Sequence, residues 1–166
     1  MTLQKIVSVI GSSSVDAKVA KIAHEVGVAI ARRGYLLACG GLGGVMEAAC
    51  KGAKSAKGTT IGILPGSQKS DANPFVDIVL PTGIGLARNL LVVLAGDGII
   101  AISGGSGTLC ELAYAWQFGK PIVAIVPSGG WAQRFGGQAL DDRRMDKIEA
   151  ATTPDEALDI LARLMK

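Results

Sequence analysis

A glycine-rich turn between an apolar run and a helical pattern constrains the fold of this chain more than any other stretch. The run Gly98–Ile102 is short and apolar, residues 103–108 contain three glycines, and residues 109–118 repeat apolar side chains at helical spacing. This order predicts a buried strand, a tight loop and a helix start. Glycines allow a close approach of the backbone, and the first amides of a helix attract anions. We therefore expect a loop that receives an anion.

Two interpretations of Glu111 follow from this stretch. If Thr108 is the N-cap of the helix, Glu111 falls at position N3, and the pair forms a capping box that only starts the helix. Alternatively, Glu111 belongs to a ligand site at the loop. The position of Glu111 in the sequence does not favour one interpretation over the other. The loop itself favours a ligand site, because a strand-to-helix connection does not need three glycines in four positions.

The composition excludes several classes of protein. With 166 residues, 49% hydrophobic and 19% charged, the chain fits a single domain, residues 1–166. It has no uncharged apolar run of membrane-spanning length and no signal-peptide pattern, which predicts a cytoplasmic protein without membrane contact. Three cysteines without metal-ligand spacing predict reduced thiols and no zinc site. The net charge of +3 is spread without a basic patch, so we expect no nucleic-acid partner.

Strand and helix patterns alternate along the chain. Strands are predicted at residues 5–10, 35–39, 59–64, 98–102 and 121–126, with a short extended piece at 75–80. Helices are predicted at residues 17–33, 45–55, 85–95, 109–118 and 154–165. Residues 127–146 are long and unperiodic, which is typical of an active-site flap or of a poorly ordered segment. The alternation predicts a doubly wound, Rossmann-like α/β domain, with one parallel sheet flanked by helices on both faces.

Three polar or glycine-rich loops follow the first, second and fourth predicted strands. In this architecture the carboxyl ends of the strands meet at one edge of the sheet, where ligands bind near the topological switch point. We therefore predict a site for a small phosphate-bearing ligand. Its residues are Gly11, Ser12, Ser13, Gly40, Gly41, Gly43, Gly44, Arg88, Gly104, Gly105, Ser106, Gly107 and Thr108.

The common nucleotide and metal signatures are absent from the sequence. Residues 11–14 do not form GxGxxG, the second strand ends in Ala38 and Cys39 without a ribose-binding acid, and no GxxxxGK[ST] motif occurs. NAD binding is therefore disfavoured. His24, the one histidine, has no metal-ligand cluster around it and is predicted to lie on a helix surface. We predict no metal site and no cofactor requirement for folding.

Four motifs in order resemble those of the Lonely guy superfamily, whose members often carry the label "possible lysine decarboxylase". The motifs are residues 40–49, 62–65, 87–89 and 104–111. The superfamily includes cytokinin-activating nucleoside 5′-monophosphate phosphoribohydrolases and molybdenum cofactor carrier proteins. The resemblance implies binding of a nucleotide or of a pterin-type ligand such as molybdenum cofactor, and it covers about residues 5–126.

Departures from the hydrolase pattern place the resemblance closer to the carrier proteins. Ser103 stands where the phosphoribohydrolases have proline, Cys110 where they have glutamate, and Asn89 where they have lysine. Arg88 and Glu111 nevertheless match the pair implicated in glycosidic cleavage. A carboxylate can stabilise oxocarbenium-like charge, and a guanidinium can hold a phosphate. A carrier-like protein is therefore predicted, with a phosphoribohydrolase, in which Arg88 and Glu111 would be catalytic, as the alternative.

Two further expectations concern lysine chemistry and assembly. A decarboxylase dependent on pyridoxal phosphate needs a Schiff-base lysine, and Lys120 instead looks like a charge at a helix C-terminus, so we predict no pyridoxal phosphate. The apolar residues 86–95, with Tyr114, Trp116 and Phe118 near the next helix, predict a homodimer or a multiple of it. The superfamily resemblance also implies a dimer.

Overall fold

A computed structural model of the chain describes residues 3–165 and contains a seven-stranded, all-parallel sheet. The strands are β1 Ile6–Gly11, β2 Leu36–Cys39, β3 Thr60–Leu64, β4 Ile78–Pro81, β5 Gly98–Ile102, β6 Ile122–Ile125 and β7 Glu149–Ala151. The α-helices are α1 Ala17–Arg32, α2 Val45–Ser55, α3 Arg88–Ala95, α4 Ser106–Gln117, α5 Gly130–Phe135 and α6 Pro154–Leu164. The prediction of a Rossmann-like α/β fold is confirmed.

Helices cover both faces of the sheet, and the central strand β5 shows how. All five of its residues are buried. Ile100 and Ile102 pack into the core shared with α1, α2 and α6, while Ile99 and Ala101 pack into the core shared with α3 and α4. A continuous apolar run is what a parallel strand buried on both faces requires, because neighbouring side chains point to opposite layers.

The strand order β4-β3-β2-β1-β5-β6-β7 places the topological switch between β1 and β5. These two strands pair in parallel, with Gly11 opposite Ile102 at their carboxyl ends. β2 lies on the other side of β1. The loops that follow β1, β2 and β5 therefore leave the sheet side by side, and the fold opens a crevice at that point.

Two helix starts differ from the sequence expectation. α4 begins at Ser106 with Gly105 as its N-cap, so Thr108 is at position N3 and Glu111 lies beyond the first turn. The interpretation of Thr108 and Glu111 as a capping box is therefore wrong, because the helix begins earlier than expected, with Gly105 at the N-cap and Gly107 inside the first turn. The predicted helix at residues 85–95 begins with a 3-10 turn, Gly85–Ala87, and α3 starts only at Arg88.

The segment between β6 and α6 carries structure that its sequence does not indicate. It contains a 3-10 turn, Val126–Ser128, the short helix α5 and the edge strand β7. The Trp116 indole donates to Asp141 at 2.7 Å, and the Arg144 guanidinium stacks over the Trp116 ring and donates to the Lys120 carbonyl at 2.9 Å. These tertiary contacts hold residues 141–144 against the end of α4. The segment is therefore not structureless.

Candidate ligand-binding cleft

A cleft of about 310 Å³ opens at the carboxyl ends of β1, β2 and β5. This volume lies at the lower end of the range for small-molecule sites, about 300–1,000 Å³. Its wall is formed by the β1 and β2 loops, α3 and the start of α4. The lining residues are Val9, Gly11, Ser12, Ser13, Gly40, Leu42, Met46, Leu86, Arg88, Asn89, Gly105, Ser106, Gly107, Thr108 and Glu111.

The structure brings most of the predicted site residues together in this cleft. The serines and first glycine of the β1 loop, Gly40, residues 105–108, Arg88 and Glu111 all line it. Four predicted residues do not: Gly41, Gly43, Gly44 and Gly104. The apolar wall of the cleft, formed by Leu42, Met46 and Leu86, is not indicated by the sequence. No local signal distinguishes these three side chains from core residues, and only the tertiary fold turns them toward the cleft.

Gly44 and Gly104 have structural reasons for being glycine. Gly44 has a φ of +65°, and a Cβ there would lie 2.3 Å from the carbonyl oxygen of Ser12. Gly104 has a φ of +106°, and its Cβ would lie 2.4 Å from the Thr108 side chain. Any larger residue would both strain the backbone and clash. Gly44 therefore lets its loop approach the β1 loop, and Gly104 lets its own loop turn tightly into α4.

The start of α4 offers backbone donors to the cleft. No side chain caps this helix at its N-cap Gly105. By contrast, α1 is capped by Asp16, which accepts from the Val19 amide at 2.8 Å, and α6 is capped by Thr153. The Asp16 and Thr153 side chains do not line the cleft. Because the first amides of a helix lack intrahelical partners and carry the positive end of the dipole, the uncapped start of α4 is suited to an anion.

Arg88 and Glu111 lie buried at the base of the cleft, with 8% and 6% of their surfaces exposed. Arg88 Nη1 donates to Asn89 Oδ1 at 2.8 Å and lies 4.0 Å from Glu111 Oε1. The Arg88 Nε has no hydrogen-bond partner within residues 3–165. A buried donor without an acceptor is costly, and the described residues supply no acceptor for this atom.

Burial also sets the protonation of this pair. Desolvation raises the pKa of Glu111 to about 8, although the positive charge of Arg88 acts in the opposite direction. Desolvation likewise lowers the pKa of Arg88, against the attraction of Glu111. At 4.0 Å the two groups are too far apart for a close, hydrogen-bonded ion pair. An anion bound beside Arg88 would supply the missing compensation for its buried charge.

The loop between β5 and α4 is held from below by the segment that follows β6. Ser103 has a φ of +52°, which is unusual for a residue other than glycine. Its amide donates to Ser128 Oγ at 2.7 Å, and its carbonyl accepts from the Ala132 amide at 3.1 Å. The sequence does not indicate that Ser128 supports this loop, since Ser128 lies 25 positions from Ser103.

Within the part of the chain that the structure describes, no helix is long and apolar enough to cross a membrane. The same residues contain no group of three or more histidine, cysteine or acidic side chains that could hold a metal ion. His24 lies half-buried on α1 and does not line this cleft.

The sheet order and the cleft at its switch point define a Rossmann-like α/β protein with glycine-rich loops at the carboxyl edge of its sheet. The model of the SLOG cluster4 family matches residues 4–158, and the chain belongs to this family. The resemblance to the Lonely guy superfamily, noted in the four motifs, is thereby confirmed.

Three relatives show what the chain is similar to. The molybdenum cofactor binding protein of Rippkaea orientalis is 32% identical, with a TM-score of 0.89 and 100% of each chain covered. The molybdenum cofactor carrier protein of Chlamydomonas reinhardtii is 33% identical, with a TM-score of 0.85 and 98% of this chain and 99% of that one covered. A cytokinin riboside 5′-monophosphate phosphoribohydrolase of Mycobacterium tuberculosis is 35% identical over 71% of this chain and 68% of its own.

Proposed function

We propose that this protein binds a small phosphate-bearing ligand of the pterin or nucleotide type and acts as a carrier. The observation that carries the proposal is the uncapped start of α4 beside the buried, unpartnered Nε of Arg88. In this arrangement the phosphate accepts from the first amides of α4 and from Arg88, while Ser12 and Ser13 offer hydroxyl groups. The two molybdenum cofactor proteins among the relatives support this choice.

Molybdenum cofactor fits these residues as cargo. Its pterin phosphate would be held by the α4 start and Arg88, which supply donors without acceptors. The dithiolene of the pterin holds the metal itself, so the protein needs no metal ligands of its own. The apolar side chains of Leu42, Met46 and Leu86 line the cleft beside the phosphate, where they can contact the part of the ligand that joins the phosphate to its ring system.

The alternative is a nucleoside 5′-monophosphate phosphoribohydrolase, supported by the mycobacterial relative and by the presence of Arg88 and Glu111. Such cleavage requires an ionised carboxylate to stabilise positive charge or to activate water. With a pKa of about 8, Glu111 is protonated in most molecules at neutral pH, and only about a tenth carry the charge. The departures from the hydrolase pattern at Ser103, Asn89 and Cys110 favour the carrier over the hydrolase.

Replacement of Gly105 tests the binding site. Gly105 has ordinary backbone angles, and a Cβ at this position meets no atom within 4 Å. We expect Gly105→Val to fold normally and to weaken binding of nucleoside monophosphates at least about tenfold, because the side chain occupies space at the anion-binding amides. Titration calorimetry measures this, with Ala150→Val on the exposed edge strand as control. Wild-type protein that binds no phosphorylated nucleotide or pterin contradicts the proposal.

Release of free base distinguishes the two functions. The protein is incubated with nucleoside 5′-monophosphates and the free base is measured by chromatography. A carrier is expected to bind these compounds without releasing base. Base release that disappears in Glu111→Gln, with the circular dichroism spectrum unchanged, would establish the hydrolase instead.

We also propose that the chain forms a homodimer through α3 and the turn before it. Their exposed apolar side chains are Ile84, Leu86, Leu91 and Leu94, which together are called the α3 surface below. Leu86 is 83% exposed and also lines the cleft, so this surface adjoins the ligand site. Of the aromatic residues that motivated the expectation, Phe118 is exposed but Trp116 is buried in the core. Trp116 therefore does not contribute to an interface.

A further inference from the structure

A second cleft, of about 540 Å³, lies next to the first, between α1 and α2. Ser13 lines both clefts. The first turn of α2 separates them, because Met46 lines the first cleft and the adjacent Glu47 lines the second. A ligand with its phosphate in the first cleft can therefore extend past Ser13 into the second.

Three ionisable side chains line this second cleft: His24 on α1, and Glu47 and Lys51 on α2. Glu47 and Lys51 are four residues apart on one helix, a spacing at which opposite charges normally pair. Within residues 3–165 they form no salt bridge, and neither they nor His24 make a side-chain hydrogen bond. The Lys51 ammonium lies 5.8 Å from the centre of the Phe75 ring. The cleft thus presents a carboxylate, an ammonium and an imidazole that form no hydrogen bond or salt bridge within residues 3–165.

This set of groups complements one type of heterocycle. A carboxylate accepts two parallel hydrogen bonds from a ring N–H and an adjacent amino group, while an ammonium donates to a ring carbonyl oxygen. A 2-amino-4-oxopyrimidine ring carries both features, and it is shared by guanine and by pterins. The volume of about 540 Å³ is sufficient for a bicyclic ring, since small-molecule sites span about 300–1,000 Å³.

We infer that the second cleft holds the 2-amino-4-oxopyrimidine ring of the ligand, with Glu47 accepting from its N–H and amino groups and Lys51 donating to its oxo group. This inference rests on the proposed function, since it needs the phosphate to occupy the first cleft. It assigns specificity to α2, whereas the phosphate site alone would accept any nucleotide.

Three nucleotides that differ at this edge test the inference by titration calorimetry. In purine numbering, guanosine 5′-monophosphate has the 2-amino and 6-oxo groups, and inosine 5′-monophosphate has only the 6-oxo group. Adenosine 5′-monophosphate has neither, since its amino group is at C6. We expect the guanine nucleotide to bind about tenfold or more tightly than the other two. Glu47→Gln is expected to remove most of this preference. Lys51→Gln should weaken the guanine and inosine nucleotides and leave the adenine nucleotide unchanged.

The control variant is Glu25→Gln, which alters an exposed carboxylate on α1 outside both clefts. It should bind all three nucleotides as wild type does. A phosphate ester of 6-hydroxymethylpterin is titrated in parallel. Binding tighter than that of the guanine nucleotide, and equally sensitive to Glu47→Gln, identifies the pterin as the source of the ring.

Two results overturn the inference in different ways. Equal affinity of wild type for all three nucleotides, unchanged in Glu47→Gln, excludes recognition by the second cleft while leaving the phosphate site intact. Binding of none of the four compounds overturns the proposed function and the inference together. A Glu47→Gln variant that loses the guanine and adenine nucleotides alike would show that Glu47 shapes the loops and does not read the ring.

Discussion

Glu111 shows how burial decides the chemistry of a single residue. In water its carboxyl group would be ionised at neutral pH, but desolvation raises its pKa from 4.5 to about 8 in the fold. Between about pH 4.5 and pH 8, the Glu111 carboxyl group therefore holds a proton in the folded protein that it has released in the unfolded chain. By linkage, the contribution of this group to stability is fully present below about pH 4.5 and is lost as the pH rises toward 8.

The pH dependence of unfolding tests this protonation. Between pH 5 and pH 8.5, we expect wild type to lose stability relative to Glu111→Gln by on the order of a few kcal/mol, because glutamine cannot ionise. Denaturant unfolding at the two pH values gives the two free energies. Glu25→Gln, at an exposed position, should follow the wild-type pH dependence. Parallel curves for wild type and Glu111→Gln would mean that the buried carboxylate is already ionised at neutral pH.

The elements that form the cleft depend on a partner distant in sequence. The loop between β5 and α4 is fixed by Ser128, whose hydroxyl accepts from the Ser103 amide and donates to the Ile125 carbonyl. The Trp131 and Ala132 amides donate to the same loop. The segment after β6 therefore keeps Ser103 at its positive φ and orients the start of α4.

Removal of the Ser128 hydroxyl should affect both stability and binding. Ser128→Ala leaves the Ser103 amide without its acceptor, which typically costs about 1–3 kcal/mol for a buried group. We expect a lower free energy of unfolding and weaker nucleotide binding, measured by denaturant titration and calorimetry. The exposed Ser70→Ala serves as control. Unchanged binding in Ser128→Ala would show that the loop keeps its geometry without this support.

At the scale of the whole molecule, the α3 surface is the apolar feature that the sheet does not bury. Helix α3 places Val92 and Val93 in the core but exposes Leu91 and Leu94. We expect light scattering at micromolar concentration to return twice the 17.0 kDa of one chain, or a multiple of that dimer. The variant carrying Leu91→Asp and Leu94→Asp should be monomeric, because charges at an apolar interface are strongly unfavourable.

A control for this experiment is Met145→Asp, since Met145 is fully exposed in the segment between α5 and β7 and is not part of the α3 surface. It should retain the wild-type mass. A monomer mass for wild type would contradict the homodimer. Loss of the dimer in the α3 variant, with nucleotide affinity retained, would show that one copy suffices to form the ligand site.

The sequence by itself determined the fold and the edge of the sheet at which the cleft lies. Helix α2 and strand β5 have the predicted bounds, since their patterns are strong and local. Periodicity specifies which segments become strands, and the parallel arrangement then brings their following loops together. For this reason ten of the predicted residues, from three loops and α3–α4, could be placed at one cleft without coordinates.

Only the tertiary structure decided the protonation, the helix start and the neighbours of the site. The burial of Glu111, the N-cap at Gly105 and the support from Ser128 all depend on contacts between distant segments. Strand β7 is three residues long and has no strand pattern of its own. It is a strand because it pairs with β6. The second cleft arises because α1 and α2 pack side by side, which no spacing within either helix encodes.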